Sequence, residues 1–309
     1  MLAHCFLFKI LIIALLVPAA RASGPLIPEF ELVEVADGVY VHPGRQVDFN
    51  HADRGDSANI GFIVGQRCVA VVDTGGSLAT GRALLAAIRD HTQVPVCYVI
   101  NTHVHFDHVL GNAAFVDQGA EIVGHENLVE AIAGNREFFL KHFAPELGGG
   151  PAQLVIAPTK TVSETMSLDL GERRILLKAH PSAHTNADLS VYDEHTRTLW
   201  TGDLVFIGRL PILDGSLRGW INWIEEYQAI PLARIVPGHG PTSANWPSGV
   251  VAVRDYLITL LTDARQAVND GVYLEDAMAT MSRKAALAWP LSESHSRNVS
   301  RAFRELEWE

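Results

Sequence analysis

The sequence predicts an α+β fold in which two mixed β-sheets pack against each other and helices cover their outer faces. Apolar runs of strand length come in pairs, and short turns separate the members of each pair, as in antiparallel hairpins. Amphipathic helical patterns lie between these pairs, and the same order occurs in both halves of the 309-residue chain. Hydrophobic residues make up 48% of the chain, which is ample for a large core.

In the first half, two hairpins lead into a helix, a strand and a polar loop. The hairpin turns are Asp37-Gly38 and Gly65-Gln66-Arg67. Between the hairpins lies a polar loop, residues 43–57, of a length that is usually either functional or mobile. The predicted strands are residues 30–35, 39–42, 58–64, 68–72, 96–100 and 121–123. The predicted helices are residues 78–91, a segment from near His108 toward Gln118, and residues 125–147.

The second half repeats this architecture after Gly148-Gly149-Gly150-Pro151, the most linker-like point of the chain. Two further hairpins and a final short strand are expected, and three helical segments follow them. The predicted strands are residues 167–170, 174–179, 189–192, 198–200 and 234–236. The predicted helices are residues 217–229, 250–269, 274–288 and 293–306.

The first 22 residues have the pattern of a secretory signal peptide. Lys9 precedes an apolar run over residues 10–17, and Ala20-Arg21-Ala22 is a small-x-small cleavage signal. An uncleaved anchor is the alternative, but an apolar run over 10–20 is short for a bilayer. We therefore predict cleavage near Ala22 and a periplasmic protein that keeps no stable membrane insertion.

The charge balance argues against two classes of partner. The formal net charge is −11, and lysine and arginine form no dense run. Binding to nucleic acid or to an anionic membrane surface is therefore not expected as the main function.

Two cysteines, Cys68 and Cys97, follow the signal peptide, and each opens a strand-like run that ends in a polar loop. If the two strands are parallel neighbours in register, the sulfur atoms can meet, and an oxidising compartment permits a disulfide. The alternative is a pair of buried apolar thiols, and this is the arrangement that the sequence favours.

Residues 101–111, NTHVHFDHVLG, form the densest cluster of metal-binding side chains in the chain. His103, His105, Asp107 and His108 lie within six positions, directly after a predicted buried strand. Zinc takes neutral imidazole nitrogen and carboxylate oxygen as ligands, and a divalent cation would hold such a cluster together. The alternative is a polar loop that happens to be rich in histidine.

Four further candidates are placed where a predicted strand has just ended: Asp73, His184, Asp203 and His239. Functional sites gather at the carboxyl ends of strands because the loops converge there while the sheet holds them rigid. The sequence therefore predicts that these side chains meet the His-rich cluster.

The order His-x-His-x-Asp-His, His, Gly-Asp and Gly-His-Gly resembles the metallo-β-lactamase superfamily over about residues 30–241. The resemblance implies a four-layer αβ/βα sandwich, with residues 23–309 as a single domain and 241–309 as its helical C-terminal extension. It implies two zinc ions: one held by His103, His105 and His184, one held by Asp107, His108 and His239, and Asp203 bridging both. Asp73 matches the family's aspartate that orients a ligand imidazole without touching the metal.

Shorter motifs narrow the resemblance. Asp203 and the motif His-Val-His-Phe-Asp-His are similar to glyoxalase II and acyl-homoserine lactonases. Residues 58–65 and 208–220, together with the signal peptide, resemble exported zinc metallohydrolases related to the sulfur-oxidation protein SoxH. This group, the quinoprotein relay system zinc metallohydrolases, implies a functional link to dehydrogenases that depend on pyrroloquinoline quinone (PQQ).

We therefore predict a zinc-dependent hydrolase of the ester, thioester, lactone or lactam bond of a small-molecule substrate. A metal-bound hydroxide would attack the carbonyl. Asp107 and Asp203 are the predicted catalytic residues, and Asp107 would orient the nucleophile and accept its proton. Arg209 could clamp a substrate carboxylate, or it could be a solvated surface arginine. The alternatives are a mononuclear-iron sulfur dioxygenase and a non-catalytic metal-binding accessory protein; the substrate and the oligomeric state stay open.

Overall fold

A mixed seven-stranded sheet forms the first half of the structure, a computed structural model that describes residues 30–149 and 154–309. The predicted signal peptide and part of the predicted linker lie outside the described residues. The strands from the first to the fourth pair antiparallel, and those from the fourth to the seventh pair parallel. In their order across the sheet they are β1 (Val33–Ala36), β2 (Val39–His42), β3 (Ile60–Val64), β4 (Val69–Val72), β5 (Val96–Ile100), β6 (Glu121–His125) and β7 (Lys160–Val162).

The second half contributes a mixed five-stranded sheet. Its strands are β8 (Thr165–Asp169), β9 (Arg174–Ala179), β10 (Leu189–Asp193), β11 (Thr198–Phe206) and β12 (Arg234–His239). Antiparallel pairs join β8 to β9, β9 to β10 and β10 to β11, and β11 pairs parallel with β12. The predicted α+β fold with two mixed sheets is therefore confirmed.

Helices cover the outer faces because side chains alternate across each strand. Ile60 and Phe62 of β3 pack against Leu84 of the first helix, whereas Ile63 belongs to the cluster between the two sheets. Among the described residues, no helix is both long enough and apolar enough to cross a membrane. The helices are α1 (Leu78–His91), α2 (Phe106–Val109), α3 (Leu128–His142), α4 (Leu217–Gln228), α5 (Val251–Asn269), α6 (Leu274–Thr280), α7 (Arg283–Leu287) and α8 (His295–Leu306).

The prediction of a single helix from near His108 toward Gln118 is wrong, because the helix ends after one turn. The segment consists of α2 and two short 3-10 turns. Gly111 packs so closely against the neighbouring loop that a Cβ there would lie 2.0 Å from the carbonyl oxygen of Thr74. This tertiary contact, rather than the helical periodicity of the sequence, determines the backbone conformation here. The predicted helix 274–288 is likewise interrupted, at Ser282, whose φ is +53°.

Two strands differ from the prediction for physical reasons. β11 continues to Phe206, so the prediction that Asp203 follows the end of a strand is wrong: the residue lies inside β11, next to irregularities in the register with β12. The strand is buried along its whole length, so no alternation of polar residues marks its end. β7 was not predicted, because only one of its three residues is buried.

The structure joins Cys68 to Cys97 in a disulfide, so the prediction of two buried thiols is wrong. β4 and β5 are parallel neighbours, and Val69 aligns with Val96. The cysteines beside this pair have a Cα–Cα distance of 5.5 Å, which is within the usual range for a disulfide.

Arg173, in the turn between β8 and β9, ties the two sheets together. Its guanidinium donates to both carboxylate oxygens of Asp193, at 2.9 and 2.6 Å. It also donates to the carbonyl oxygens of Val64 in β3 (2.9 Å) and of Asp37 in the turn between β1 and β2 (3.0 Å). Burial alone would raise the pKa of Asp193, but hydrogen bonds from Arg173 and Thr196 hold it below its ordinary value.

Replacing Cys68 and Cys97 together by alanine is expected to lower the free energy of unfolding by about 3–4 kcal/mol, because the crosslink restricts the unfolded chain. The two cysteines are 29 positions apart. Urea unfolding measures the difference. A reductant should destabilise the wild type and leave the double variant unchanged; equal stability of the oxidised and reduced wild type would contradict the crosslink.

Arg173→Gln is expected to lower the free energy of unfolding at pH 7 by about 3–5 kcal/mol, because it leaves a buried carboxylate without its partner. The folded pKa of Asp193 is lowered, so the ion pair stabilises the protein above the ordinary aspartate pKa of about 3.9 and is lost as the pH falls further. Urea unfolding between pH 7 and pH 3 should show the difference shrinking. Arg174→Gln, at the neighbouring exposed arginine, is the control. A difference that stays constant over this range would argue against the ion pair.

Candidate metal centre

Seven side chains identified from the sequence meet near the carboxyl ends of β5, β9 and β12. They form two groups, and within each group the potential ligand atoms all lie within 4.8 Å of one another. Each group could hold a metal ion. The first group is His103, His105, His184 and Asp203, and the second is Asp107, His108 and His239.

The first group presents three imidazoles around one carboxylate oxygen. Asp203 Oδ2 lies 3.5 Å from His103 Nε2 and 3.4 Å from His184 Nε2. His184 Nε2 lies 3.0 Å from His105 Nδ1. His105 therefore directs Nδ1 at the other donors, whereas His103 and His184 direct Nε2 at them.

The second group shares Asp203 with the first. His239 Nε2 lies 3.5 Å from Asp107 Oδ2 and 3.4 Å from Asp203 Oδ2. His108 Nε2 lies 3.3 Å from Asp203 Oδ1. Because Asp203 is within 3.5 Å of an imidazole from each group, it lies between the two candidate metal positions.

The buried atoms at this centre lack partners that a cation would supply. Nε2 of His103, Nε2 of His108 and Oδ1 of Asp203 are buried, and no hydrogen-bond partner exists for them among the described residues. Buried polar atoms in folded proteins are otherwise nearly always paired. Imidazole nitrogen and carboxylate oxygen are ligands that suit zinc, and imidazole also suits iron. The residues present therefore fit a divalent metal.

The protonation states of the donor side chains are mixed. Against the effect of burial, Asp214 raises the pKa of His105, and Asp203 and Asp73 raise that of His108 well above its ordinary value, so these two imidazoles must release a proton to bind a metal.

Burial lowers the pKa of His184 to about 3 and that of His103 well below its ordinary value, so both imidazoles are neutral. Burial would raise the pKa of Asp203, but the surrounding imidazoles, that of His239 foremost, hold it well below its usual range. The pKa of Asp107 is lowered in the same way, so both carboxylates are ionised at neutral pH.

Asp73 lies behind the centre and orients one ligand. Its Oδ2 accepts a hydrogen bond from His108 Nδ1 at 2.8 Å, which leaves Nε2 of that imidazole directed at Asp203. The backbone N–H and the hydroxyl of Thr102 donate to the same carboxylate, at 2.8 and 2.7 Å. Three hydrogen bonds therefore hold the Asp73 side chain in place.

Asp214 has the corresponding role for His105, and the sequence analysis missed it. It accepts a hydrogen bond from His105 Nε2 at 2.8 Å and from Arg297 at 2.6 Å. Burial would raise the pKa of Asp214, but the hydrogen bond from His105 and the charges of His105 and Arg297 lower it to about 2. His105 and Asp214 are 109 positions apart, and no spacing in the sequence links them.

Ser57, also missed, connects the long loop 43–57 to the second group. Its hydroxyl donates to Asp107 Oδ2 at 2.8 Å, and its carbonyl oxygen accepts from His239 Nδ1 at 2.9 Å. The only signal in the sequence was the length of the loop.

A groove of about 1310 Å³ opens onto the centre. Loop 43–57, α2 and α3 supply phenylalanines to one wall, and α8 supplies arginines to another. Arg209 also lines the groove, and its Nη1 lies 3.5 Å from His239 Nδ1. Because that nitrogen already donates to the carbonyl of Ser57, it cannot accept from Arg209. The buried Nε of Arg209 also lacks a partner among the described residues.

Comparisons with known proteins agree with this arrangement. A sequence model of the metallo-beta-lactamase superfamily matches residues 53–239. The chain is 26% identical over 219 residues to the acyl-coenzyme A thioesterase MBLAC2 of Bos taurus and 26% identical over 220 residues to that of Homo sapiens; each match covers 60% of this chain and 74% of the relative.

Solved structures show the same fold. A metallo-beta-lactamase from Pontibacter korlensis is 21% identical with a TM-score of 0.58, and the match covers 74% of this chain and 98% of that one. The sec-alkylsulfatase Pisa1 from Pseudomonas sp. is 18% identical with a TM-score of 0.62, over 90% of this chain and 50% of that one.

The match to the superfamily model spans more than half of the chain and contains all seven side chains of the centre. The resemblance to the superfamily is confirmed, whereas the narrower resemblance to the quinoprotein relay hydrolases stays a prediction. The chain therefore belongs to the metallo-β-lactamase superfamily.

Proposed function

We propose that this protein hydrolyses an acyl thioester at the candidate metal centre. The observation that carries the proposal is the groove, which joins the two donor groups to a wall of phenylalanines on one side and to arginines on the other. The relatives named acyl-coenzyme A thioesterases support the choice of a thioester among the ester, thioester, lactone and lactam bonds that the sequence left open.

The phenylalanine wall suits an apolar acyl group. Phe49 and Phe138 are each 43% exposed in the groove. Phe49 contacts Phe106 edge to face, with ring centroids 5.6 Å apart, and Phe106 stacks on Phe143 at 4.3 Å. Since burying apolar surface is favourable, an acyl chain that covers these rings would gain binding free energy.

The chemistry requires a nucleophile, a base and a leaving group. Zinc ions held by the two donor groups would supply Lewis acidity and lower the pKa of water. Asp107 is ionised and oriented by the Ser57 hydroxyl, so it can position the attacking water and accept its proton. The departing group is a thiol with an ordinary pKa of about 8.5, so it needs less help from a general acid than an alkoxide does. Arg209 is available to bind a polar group of the substrate.

Two metal ions fit the site better than one. The mononuclear-iron sulfur dioxygenase needs only one donor group, whereas a second group of three side chains is present here. A non-catalytic accessory protein would not require the open groove beside them.

We further propose that the protein is exported and acts in the periplasm, with a functional link to PQQ-dependent dehydrogenases. The signal-peptide pattern of the first 22 residues supports export. The disulfide supports it as well, because disulfides persist mainly in oxidising compartments. The link to PQQ systems rests on the resemblance of residues 58–65 and 208–220. Detection of the chain in the cytoplasm with residues 1–22 uncleaved would contradict export.

The zinc-loaded protein is expected to hydrolyse a long-chain acyl thioester, and Asp107→Asn is expected to lower kcat about 100-fold or more, because it removes the base. A chromogenic thiol reagent measures the rate, and elemental analysis counts the metal. Asp117→Asn, at an exposed aspartate outside the groove, should keep the wild-type rate. Absence of thioester hydrolysis by the wild type would overturn the proposal, and one iron with no zinc per chain would favour the dioxygenase.

Asp214→Asn is expected to weaken zinc binding at the first group by about 10–100-fold, because the orientation of His105 loses its carboxylate partner. A competition titration with a chromophoric chelator measures the affinity, and circular dichroism checks the fold. Arg297→Gln leaves the bond between His105 and Asp214 in place and should have a smaller effect. Equal zinc affinity in Asp214→Asn and the wild type would show that Asp214 does not position this ligand.

A further inference from the structure

The C-terminal helix α8 carries a row of arginines along the groove. Arg297, Arg301 and Arg304 are exposed and spaced i, i+4 and i+7, so they lie on one face of the helix. The opposite face is buried and contains His295, Asn298, Val299, Ala302, Phe303 and Leu306. This helix lies beyond the residues that match the superfamily model. The arginine row is therefore an addition to the part of the chain that holds the candidate metal ligands.

The row is held rigidly against the centre. The Asn298 side chain accepts from the backbone N–H of Leu213 at 2.9 Å and donates to the carbonyl of Pro211 at 2.7 Å. Arg301 Nε donates to the carbonyl of Gly215 at 2.7 Å. These bonds fix α8 to the segment 208–216, which also carries Arg209 and Asp214.

Most of the positive charge of the row is not neutralised. Arg297 pairs with Asp214, but Arg301 uses a single N–H in its bond to a carbonyl, and Arg304 has no ion-pair or hydrogen-bond partner among the described residues. With Arg209, four arginines line one groove in a chain whose formal net charge is −11. Five acidic residues also line the groove. Asp107 and Asp203 belong to the donor groups, Asp214 pairs with Arg297, and Asp48 and Glu293 form no ion pair with the row.

The spacing along the row indicates the kind of anion. At about 1.5 Å per residue, Arg301 and Arg304, which form no ion pair, are about 4.5 Å apart along the helix. A single carboxylate would occupy only one of these guanidinium groups. A ligand with several phosphoryl groups along its length would meet both, and the planar fork of arginine matches phosphate oxygens.

We propose that Arg301 and Arg304 bind the phosphoryl groups of a nucleotide carrier in a thioester of the coenzyme A class. The proposal rests on the proposed thioester hydrolysis and specifies which class of thioester the protein would select. The acyl chain lies along the phenylalanine wall, the thioester carbonyl lies at the donor groups, and the phosphorylated carrier lies along α8.

Comparison of two substrates with the same acyl group tests the assignment. One is the coenzyme A thioester, and the other is the neutral N-acetylcysteamine thioester, which carries no phosphate. Arg304→Gln is expected to lower kcat/KM for the coenzyme A thioester about tenfold or more, since a hydrogen bond to a charged group has that effect, and to change the neutral substrate less than twofold. Arg301→Gln also removes the bond to Gly215, so it is expected to affect both substrates, and the coenzyme A thioester more strongly. Arg82→Gln, at an exposed arginine of α1 outside the groove, should leave both unchanged. An equal effect on both substrates would overturn the proposal.

Binding of free coenzyme A, measured by titration calorimetry on the zinc-loaded protein, separates this proposal from the proposed function. Weaker binding in Arg304→Gln, with unchanged zinc content, supports the arginine row even if no thioester is hydrolysed. Arg304→Gln removes no hydrogen bond or ion pair between described residues, and circular dichroism checks its fold. Unchanged binding in both arginine variants, together with normal thioester hydrolysis, would overturn the arginine row and leave the proposed function intact.

Discussion

The buried carboxylate of Asp203 lies within 3.5 Å of imidazoles from both donor groups, and the rest of the centre is arranged around it. Taking an isolated carboxylate out of water is costly, so it needs positive or hydrogen-bonding partners on every side. The backbone makes room for it: a Cβ at position 238 would lie 2.0 Å from Asp203 Oδ1, which only glycine avoids. The loops after β5 and β9 and the end of β12 supply the imidazoles that surround the carboxylate.

The C-terminal helices are coupled to this centre. Asn298 and Arg301 of α8 hold the segment 208–216, and Arg297 pairs with Asp214, which in turn orients His105. A change in the packing of α8 would therefore reach a candidate metal ligand through two hydrogen bonds. The same helix lines the groove, so one element influences both the orientation of a ligand and the surface offered to substrate.

Much of the fold and the centre followed from local patterns. Helix α1 and the strand β5 have the predicted bounds, because amphipathic and apolar periodicity extends over the whole of each element. The helix predicted over residues 108–118 and the free thiol predicted at Cys68 were wrong, because both depend on contacts between segments that are distant in the sequence. The first depends on a close approach of Gly111 to a distant loop, and the second on the register of β4 against β5.

The sequence by itself determined the fold class and identified the seven side chains that the structure brings together, since strand periodicity and the motif from His103 to His108 are properties of short segments. Only the tertiary structure decided which groups orient and surround those side chains. Asp214 meets His105 across 109 positions, Ser57 meets Asp107 across 50, and the arginines of α8 reach the groove only through packing. A hydrogen bond between distant segments leaves no periodicity in the chain, so its partners become visible only when the fold brings them together.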